Sequence, residues 1–180
     1  MRQISVVGTI LALFLLVACT PSPQVITTEG VRGLPDLRLS DAQYRLKTDD
    51  EHMPIVVQAA EIAIYNTREH ATLSSPSFWR ADEDGTLLFS GRADSAHAHT
   101  TNYDTTLSGS VEILDHQREL TIYAEQLLWL HDLETLVSEG DELILIVTAA
   151  GEEILGTGLT LHVTEKTLSF KRVIHGIVGL

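Results

Sequence analysis

The chain is poor in cysteine and in positive charge: it has one cysteine, Cys19, and 12 basic side chains against 25 acidic ones. A single thiol excludes an intramolecular disulfide, the usual structural reason for cysteine in an exported protein. A formal charge of −13 excludes a phosphate-backbone partner, because nucleic-acid binders present a cationic face. Catalytic motifs are thin as well. There is no Gly-x-Ser-x-Gly elbow and no glycine-rich loop leading into a helix, so the residues give a hydrolase little support. The strand and helix spacing of βαβ units is also missing.

What is present begins at the N-terminus. Arg2 is followed by an apolar run, Ile4 to Val17, broken only by Gly8 and Thr9, and then by Ala18-Cys19. The run is shorter than the roughly 20 residues that span a bilayer comfortably. With small residues ahead of the cysteine, it reads as a cleavable signal peptide. Leu16, Ala18 and Cys19 resemble the bacterial lipobox, Leu-x-[Ala/Gly/Ser]-Cys. That resemblance implies diacylglyceryl transfer to the Cys19 thiol and cleavage before it. The product would be lipid-anchored on the periplasmic side of a bacterial membrane by two or three chains, since one acyl chain binds only marginally.

The expected organisation is a signal peptide at residues 1–18, a lipidated cysteine and flexible tether at 19–50, and a β domain at 51–180. The tether is polar and punctuated by Pro21, Pro23, Gly30, Gly33 and Pro35, with no sustained period of 2 or 3.6. A short strand within Tyr44 to Lys47 begins the domain.

Beyond Pro54, short β-branched, aromatic and aliphatic runs alternate with turn signals. The pattern predicts strands at Ile55–Tyr65, Ala71–Trp79, Thr86–Gly91, Ala93–Thr100, Thr105–Leu114, Glu119–Ala124, Gln126–Leu130, Thr135–Val137, Glu142–Thr148, Glu152–Leu155, Leu159–Val163 and Thr167–Ile174. Blocks recur at roughly thirty-residue intervals. They start at Ala60-Glu61-Ile62, Ala93-Asp94-Ser95 and Ala124-Glu125-Gln126, with a weaker start at Thr157-Gly158-Leu159. The expectation is an all-β, layered structure of stacked three-strand blocks, each burying an apolar face only against its neighbours. Ala124 to Val137 carries leucines at helical spacing, but the block register assigns it to strand, because tertiary context can override propensity.

Alternation nominates an inward set: Ile62, Ile64, Leu73, Phe78, Leu107, Val111, Ile113, Leu128, Leu143, Leu145, Val147, Leu159, Leu161 and Phe170. Around Leu143 to Thr148 both faces are apolar, which leaves the choice of face to block position. The interior is either a filled sandwich core or a trough partly open to lipid chains. His97 and His99, two apart on one strand face, could ligate zinc only if a third ligand converged. The remaining histidines are scattered in sequence, so no metal site is expected. Asp82-Glu83-Asp84-Gly85 reads as a tight acidic turn, since the further oxygen ligands of a calcium loop are missing.

Pro54-Ile55-Val56-Val57-Gln58-Ala59, Ala60-Glu61-Ile62-Ala63-Ile64-Tyr65, Leu73-Ser74-Ser75-Pro76-Ser77-Phe78, Asp84-Gly85, Leu107-Ser108-Gly109-Ser110-Val111 and Gly156-Thr157-Gly158-Leu159 together resemble the LptC family of periplasmic lipopolysaccharide-transport proteins and the wider LptA/OstA-like β folds. The resemblance implies an open, V-shaped β-jelly roll whose apolar interior shields the acyl chains of a lipopolysaccharide-like glycolipid. It also implies two partners, the subunits of an inner-membrane ABC transporter and an LptA-like periplasmic protein. It implies no cofactor and no covalent chemistry. The chain departs from the family at its N-terminus, where a lipobox stands in place of an uncleaved transmembrane helix. The same residues also fit a second reading, a structural or binding surface lipoprotein with a closed β core.

Overall fold

The computed structural model describes residues 33–46 and 53–177. The signal peptide, Cys19 and the tether up to residue 32 lie outside the described residues. Twelve strands account for most of the remainder: β1 Leu37–Leu46, β2 Ile55–Tyr65, β3 His70–Ser74, β4 Ser77–Ala81, β5 Leu87–Arg92, β6 Ser95–His99, β7 Thr105–Asp115, β8 Leu120–Leu130, β9 Thr135–Val137, β10 Ile144–Thr148, β11 Glu153–His162 and β12 Thr167–Ile177. The only helical turn among the described residues is the 3-10 turn Asn66–Arg68, so the all-β expectation holds. No helix among them is long and apolar enough to cross a membrane.

The connectivity is a meander. β3 and β4 form one row interrupted at Ser75-Pro76, β5 and β6 another interrupted at Ala93-Asp94, and β9 and β10 a third interrupted by residues 138–143. Every row pairs antiparallel with the next in sequence. Because three rows are broken, the sheet divides into two leaves. In leaf A, β2 pairs with β4, β4 with β5, β5 with β7, and β10 with β8 and β11. In leaf B, β2 pairs with β3, β3 with β6, β6 with β7, and β9 with β8 and β11. The long strands β1, β2, β7, β8, β11 and β12 run through both.

Where a row passes from one leaf to the other, its backbone is irregular. Asp41, Ser75 and Ser110 have φ of 49°, 48° and 47°, and Gly109 and Gly158 have φ of 74° and 67°. The β7–β8 register breaks between Ser108 and Val111. Hydrogen bonds lace successive corners together: Ser75 N donates to Asp94 O at 2.8 Å, and Asp94 N to Gly109 O at 2.8 Å. Leu159 N donates to Ser138 Oγ at 2.8 Å. At Gly109 a Cβ would lie 2.6 Å from Asp94 Oδ2, so glycine meets both the positive φ and the close approach. The repeating sequence blocks now have a physical meaning. Ala60-Glu61, Ala93-Asp94, Ala124-Glu125 and Thr157-Gly158 are the corners of every second row.

Each corner takes an extra residue, and alternation changes parity across it. Ile55, Val57 and Ala59 are buried before the β2 corner and Ile62 after it; Ile122 is buried before the β8 corner and Leu127 after it. Inward side chains therefore form cross-strand ladders. In leaf A, Tyr44 pairs with Val57, Val57 with Phe78, Phe78 with Gly91, and Gly91 with Ile113. The ladder continues through Ile122, Ile146 and Ile154. In leaf B it runs Ile62, Leu73, Ala96, Leu107 and Leu127. Such direct pairs are the unit of sheet stabilisation.

Parity also corrects part of the nominated interior. Leu128 pairs with Thr106 and Val137 on the face opposite Leu127, because the count from Ile122 shifts at Glu125. Leu143 precedes β10 and is 56% exposed, while Ile144 and Ile146 are buried at 0% and 2%. Leu145 and Val147 thus face outward and are only half-buried. Of the other nominated residues, Ile62, Leu73, Leu107, Val111, Ile113, Leu159 and Leu161 are in the core, with Ile64, Phe78 and Phe170 half-buried against it.

Several boundaries differ from the sequence reading. The short strand expected within Tyr44 to Lys47 is the end of β1, which reaches back to Leu37 through the expected tether; its first half is exposed and so carries little alternation, and Lys47 lies outside the described residues. Ala71–Trp79 is two strands, since Pro76 cannot donate to a ladder and Ser75 turns at positive φ. The pairs Glu119–Ala124 with Gln126–Leu130, and Glu152–Leu155 with Leu159–Val163, are the single strands β8 and β11, each with a corner inside it.

Candidate binding cleft

Between the leaves lies an apolar cleft, open at its mouth, with a cavity volume of about 130 Å³. Leaf A contributes Tyr44, Leu46, Ile55, Val57, Phe78 and Phe89; leaf B contributes Leu73, Leu107, Trp129, Leu136 and Leu161. These walls are apolar because the inward ladders of both leaves converge here. The cavity is narrower than the ligand pockets of about 300–1,000 Å³ that enclose whole small molecules, but its lining has their composition, predominantly apolar with few polar groups. Phe78 can lie along the wall because its cross-strand partner is Gly91, where a Cβ would sit 2.4 Å from the ring. Burial pushes the Tyr44 phenol up to about 12.

The polar lining is sparse. Arg80, at the end of β4 in leaf A, is only 8% exposed. Its Nη1 lies 3.3 Å from Oε1 of Glu134, in the turn before β9 of leaf B. Glu134 also accepts a hydrogen bond from Thr164 Oγ1. An ion pair thus ties the two leaves beside the cleft. Arg118 Nη1 donates to Asp115 Oδ2 at 2.9 Å, and Asp115 Oδ1 accepts the backbone N–H groups of Gln117 and Arg118 at 3.0 Å each. This closes the β7–β8 turn and fixes both charges at the rim.

Leu73, Phe78, Leu107, Ile113 and Leu161, nominated from the sequence, line this cleft. Ile62, Ile64, Val111, Leu159 and Phe170 belong to the core without lining it. Sequence reasoning missed Tyr44, Leu46, Ile55, Val57, Phe89, Trp129 and Leu136. For Ile55 and Val57 the signal was available in the alternation of β2, whose parity before the corner is opposite to that of Ile62. For Trp129 it was hidden by the same shift that misplaced Leu128.

The other motifs fall outside the cleft. Asp82 Oδ1 accepts the N–H groups of Asp84 and Thr86 at 3.1 and 2.8 Å, so the acidic stretch closes the β4–β5 turn. His97 and His99 are exposed on leaf B, whose inward positions here are Ala96 and Leu73. His70 stacks on His97 with ring centres 4.6 Å apart. Burial, and then His70 and His99, hold the His97 imidazole below its usual range. No family model and no curated protein sequence matches this chain significantly.

Proposed function

We infer that the protein is a lipid-transport protein of the bacterial envelope, with the acyl chains of a lipopolysaccharide-like glycolipid as cargo. One observation carries this reading: an apolar cleft lined by both leaves and open at its mouth. Each methylene taken from water is worth about 0.8 kcal/mol, so such a cleft supplies the driving force for chain binding without covalent chemistry. The tether and the Cys19 lipobox supply the membrane attachment in this proposal. An inner-membrane ABC transporter would deliver the lipid, and an LptA-like protein would receive it. Such a partner would add a strand to a free sheet edge. Among the described residues β12 pairs only with β11, and it exposes Val173, Ile174 and Ile177.

Photocrosslinking tests the reading in cells that make the native lipid. A crosslinking side chain at Phe78, Leu107 or Leu161 captures glycolipid, while one at Ser110, exposed at a corner, captures none. Well-folded variants that capture no lipid from any cleft position support instead a binding or structural lipoprotein with a closed core. The anchor is tested separately: Cys19→Ala abolishes acylation and processing while the β domain still folds. Wild-type protein isolated from membranes without acyl groups on Cys19 overturns the localisation.

A further inference from the structure

The outer face of leaf B carries a group of side chains that lipid transport does not use. β3 and β6 are antiparallel neighbours, with His70 directly opposite His99 and Thr72 opposite His97. Ala71, Leu73 and Ala96 between them point into the core, so all three imidazoles project from the same outer surface. The ring centres of His70 and His97 are 4.6 Å apart, and those of His97 and His99 are 6.1 Å apart. Residues distant in sequence are thus gathered on two hydrogen-bonded strands, a rigid base for a binding site.

We propose that His70, His97 and His99 form a site for a divalent transition-metal ion, with Zn²⁺ as the type ligand. Zinc–nitrogen bonds of about 2.0–2.1 Å with tetrahedral spread put the centres of rings sharing one ion roughly 5 Å apart. The observed separations fall on either side of that value. Nδ1 of His70 lies 3.4 Å from the carbonyl oxygen of Arg68. The only hydrogen bond possible between those two atoms has Nδ1–H as donor, which leaves Nε2 as the lone-pair nitrogen. That is the tautomer and outer contact that metal-bound imidazoles use.

Among the described residues no three such side chains converge on an ion as they lie. His70 and His97 stack with planes 21° apart, so their lone pairs run side by side. Binding therefore requires the rings to turn about χ2, a broad torsion for histidine, and both His97 and His99 are exposed enough to do so. Asp104, whose carbonyl accepts from His99 N, is occupied: its carboxylate accepts from the His131 backbone and the Asn102 amide at 2.9 and 2.8 Å. The site proposed is a three-histidine site whose fourth position is taken by water, by a ligand or by Glu69, the chain neighbour of His70, as in zinc centres with three protein ligands and one open position. The chain's charge of −13 favours a cation over an anion at long range. The competing role for the trio is a surface aromatic stack continuing from Tyr65, whose ring lies 4.7 Å from that of His70.

The test is titration of the tag-free, full-length protein in detergent with Zn²⁺ by calorimetry and with Co²⁺ by visible absorption. The proposal expects one ion per chain and the intense d–d bands of low-coordinate Co²⁺. It expects each of His70→Ala, His97→Ala and His99→Ala to weaken affinity by about tenfold or more, while His175→Ala changes nothing. The His97→Gln/His99→Gln variant, of similar size and polarity, loses the ion with an unchanged strand spectrum. Zn²⁺ binding weaker than about 100 μM, or binding that survives in the double variant, overturns the site and leaves the stack. The outcome does not depend on whether the cleft holds lipid.

Discussion

The two halves of the core differ in how completely they are filled. In rows β7 to β11 the inward side chains Val111, Ile122, Leu127, Ile144, Ile146 and Leu159 are at most 2% exposed. Around the cleft, Tyr44, Leu46, Phe78, Phe89 and Trp129 are only partly buried against that core. The same ladder construction thus gives a closed part made of aliphatic side chains and an open part whose wall mixes rings with aliphatic side chains. Stability is concentrated in the first and the capacity to take a ligand in the second. That follows from packing: a filled core gains dispersion and burial on every side, whereas a cleft wall lacks neighbours on one face.

The largest effect expected from this contrast is in the closed half. Ile146→Ala costs about 2–5 kcal/mol in urea unfolding, because it creates a cavity that the flanking Ile122 and Ile154 cannot fill. Phe89→Ala, at the cleft, costs clearly less, despite removing a larger side chain. Equal losses would erase the distinction between the two halves.

Next in size is the tie between the leaves. Arg80→Met leaves Glu134 without its main counter-ion and lowers stability by roughly 1–3 kcal/mol, a value discounted because Glu134 is partly exposed. The double variant Arg80→Met/Glu134→Leu recovers much of that loss, which a double-mutant cycle measures. If the double variant is as unstable as the sum of the singles, the pair does not act as a unit.

A smaller effect comes from Tyr44. The unfolded chain releases the phenolic proton near about 10, whereas the folded chain holds it up to about 12. Below pH 10 both states are protonated and the contribution is fully present. Between pH 10 and 12 only the unfolded state ionises, so stability falls as pH rises. The loss is up to about 2 kcal/mol after allowing for partial exposure. Denaturation curves of Tyr44→Phe lack that part of the slope. The smallest effect is at Leu143, where Ala changes stability by under about 0.5 kcal/mol, while Ile144→Ala, one residue away, behaves like Ile146→Ala.

Leu143 and Ile144 also show how far the sequence could be read. β-strand content was legible from alternation, whereas the recurring Ala-Glu, Ala-Asp and Thr-Gly pairs were read as the starts of stacked blocks and proved to be corners within rows. Strands β2, β7 and β9 fall close to their expected bounds. What alternation could not carry was parity across a corner, because one extra residue reverses every assignment beyond it. Leu128 was misplaced for that reason. Leu145 and Val147 were misplaced because both faces of β10 are apolar, so period 2 had no polar partner to register against. The part of β1 before Tyr44 was read as tether because an edge strand with one neighbour needs no apolar face along its first half. The third histidine was invisible for a different reason: His70 meets His97 only through the β3–β6 pairing, and spacing along the chain holds no trace of it.

The meander has a consequence for how the molecule is made. Since every row pairs only with the rows just before and after it, strand pairing never joins distant parts of the chain. Folding can begin with any adjacent pair and spread row by row, without closing a long loop first. The same locality makes length adjustable. Inserting or deleting two rows between equivalent corners keeps strand direction, corner sequence and ladder register, so relatives built on this plan can differ in height while their cross-section stays the same.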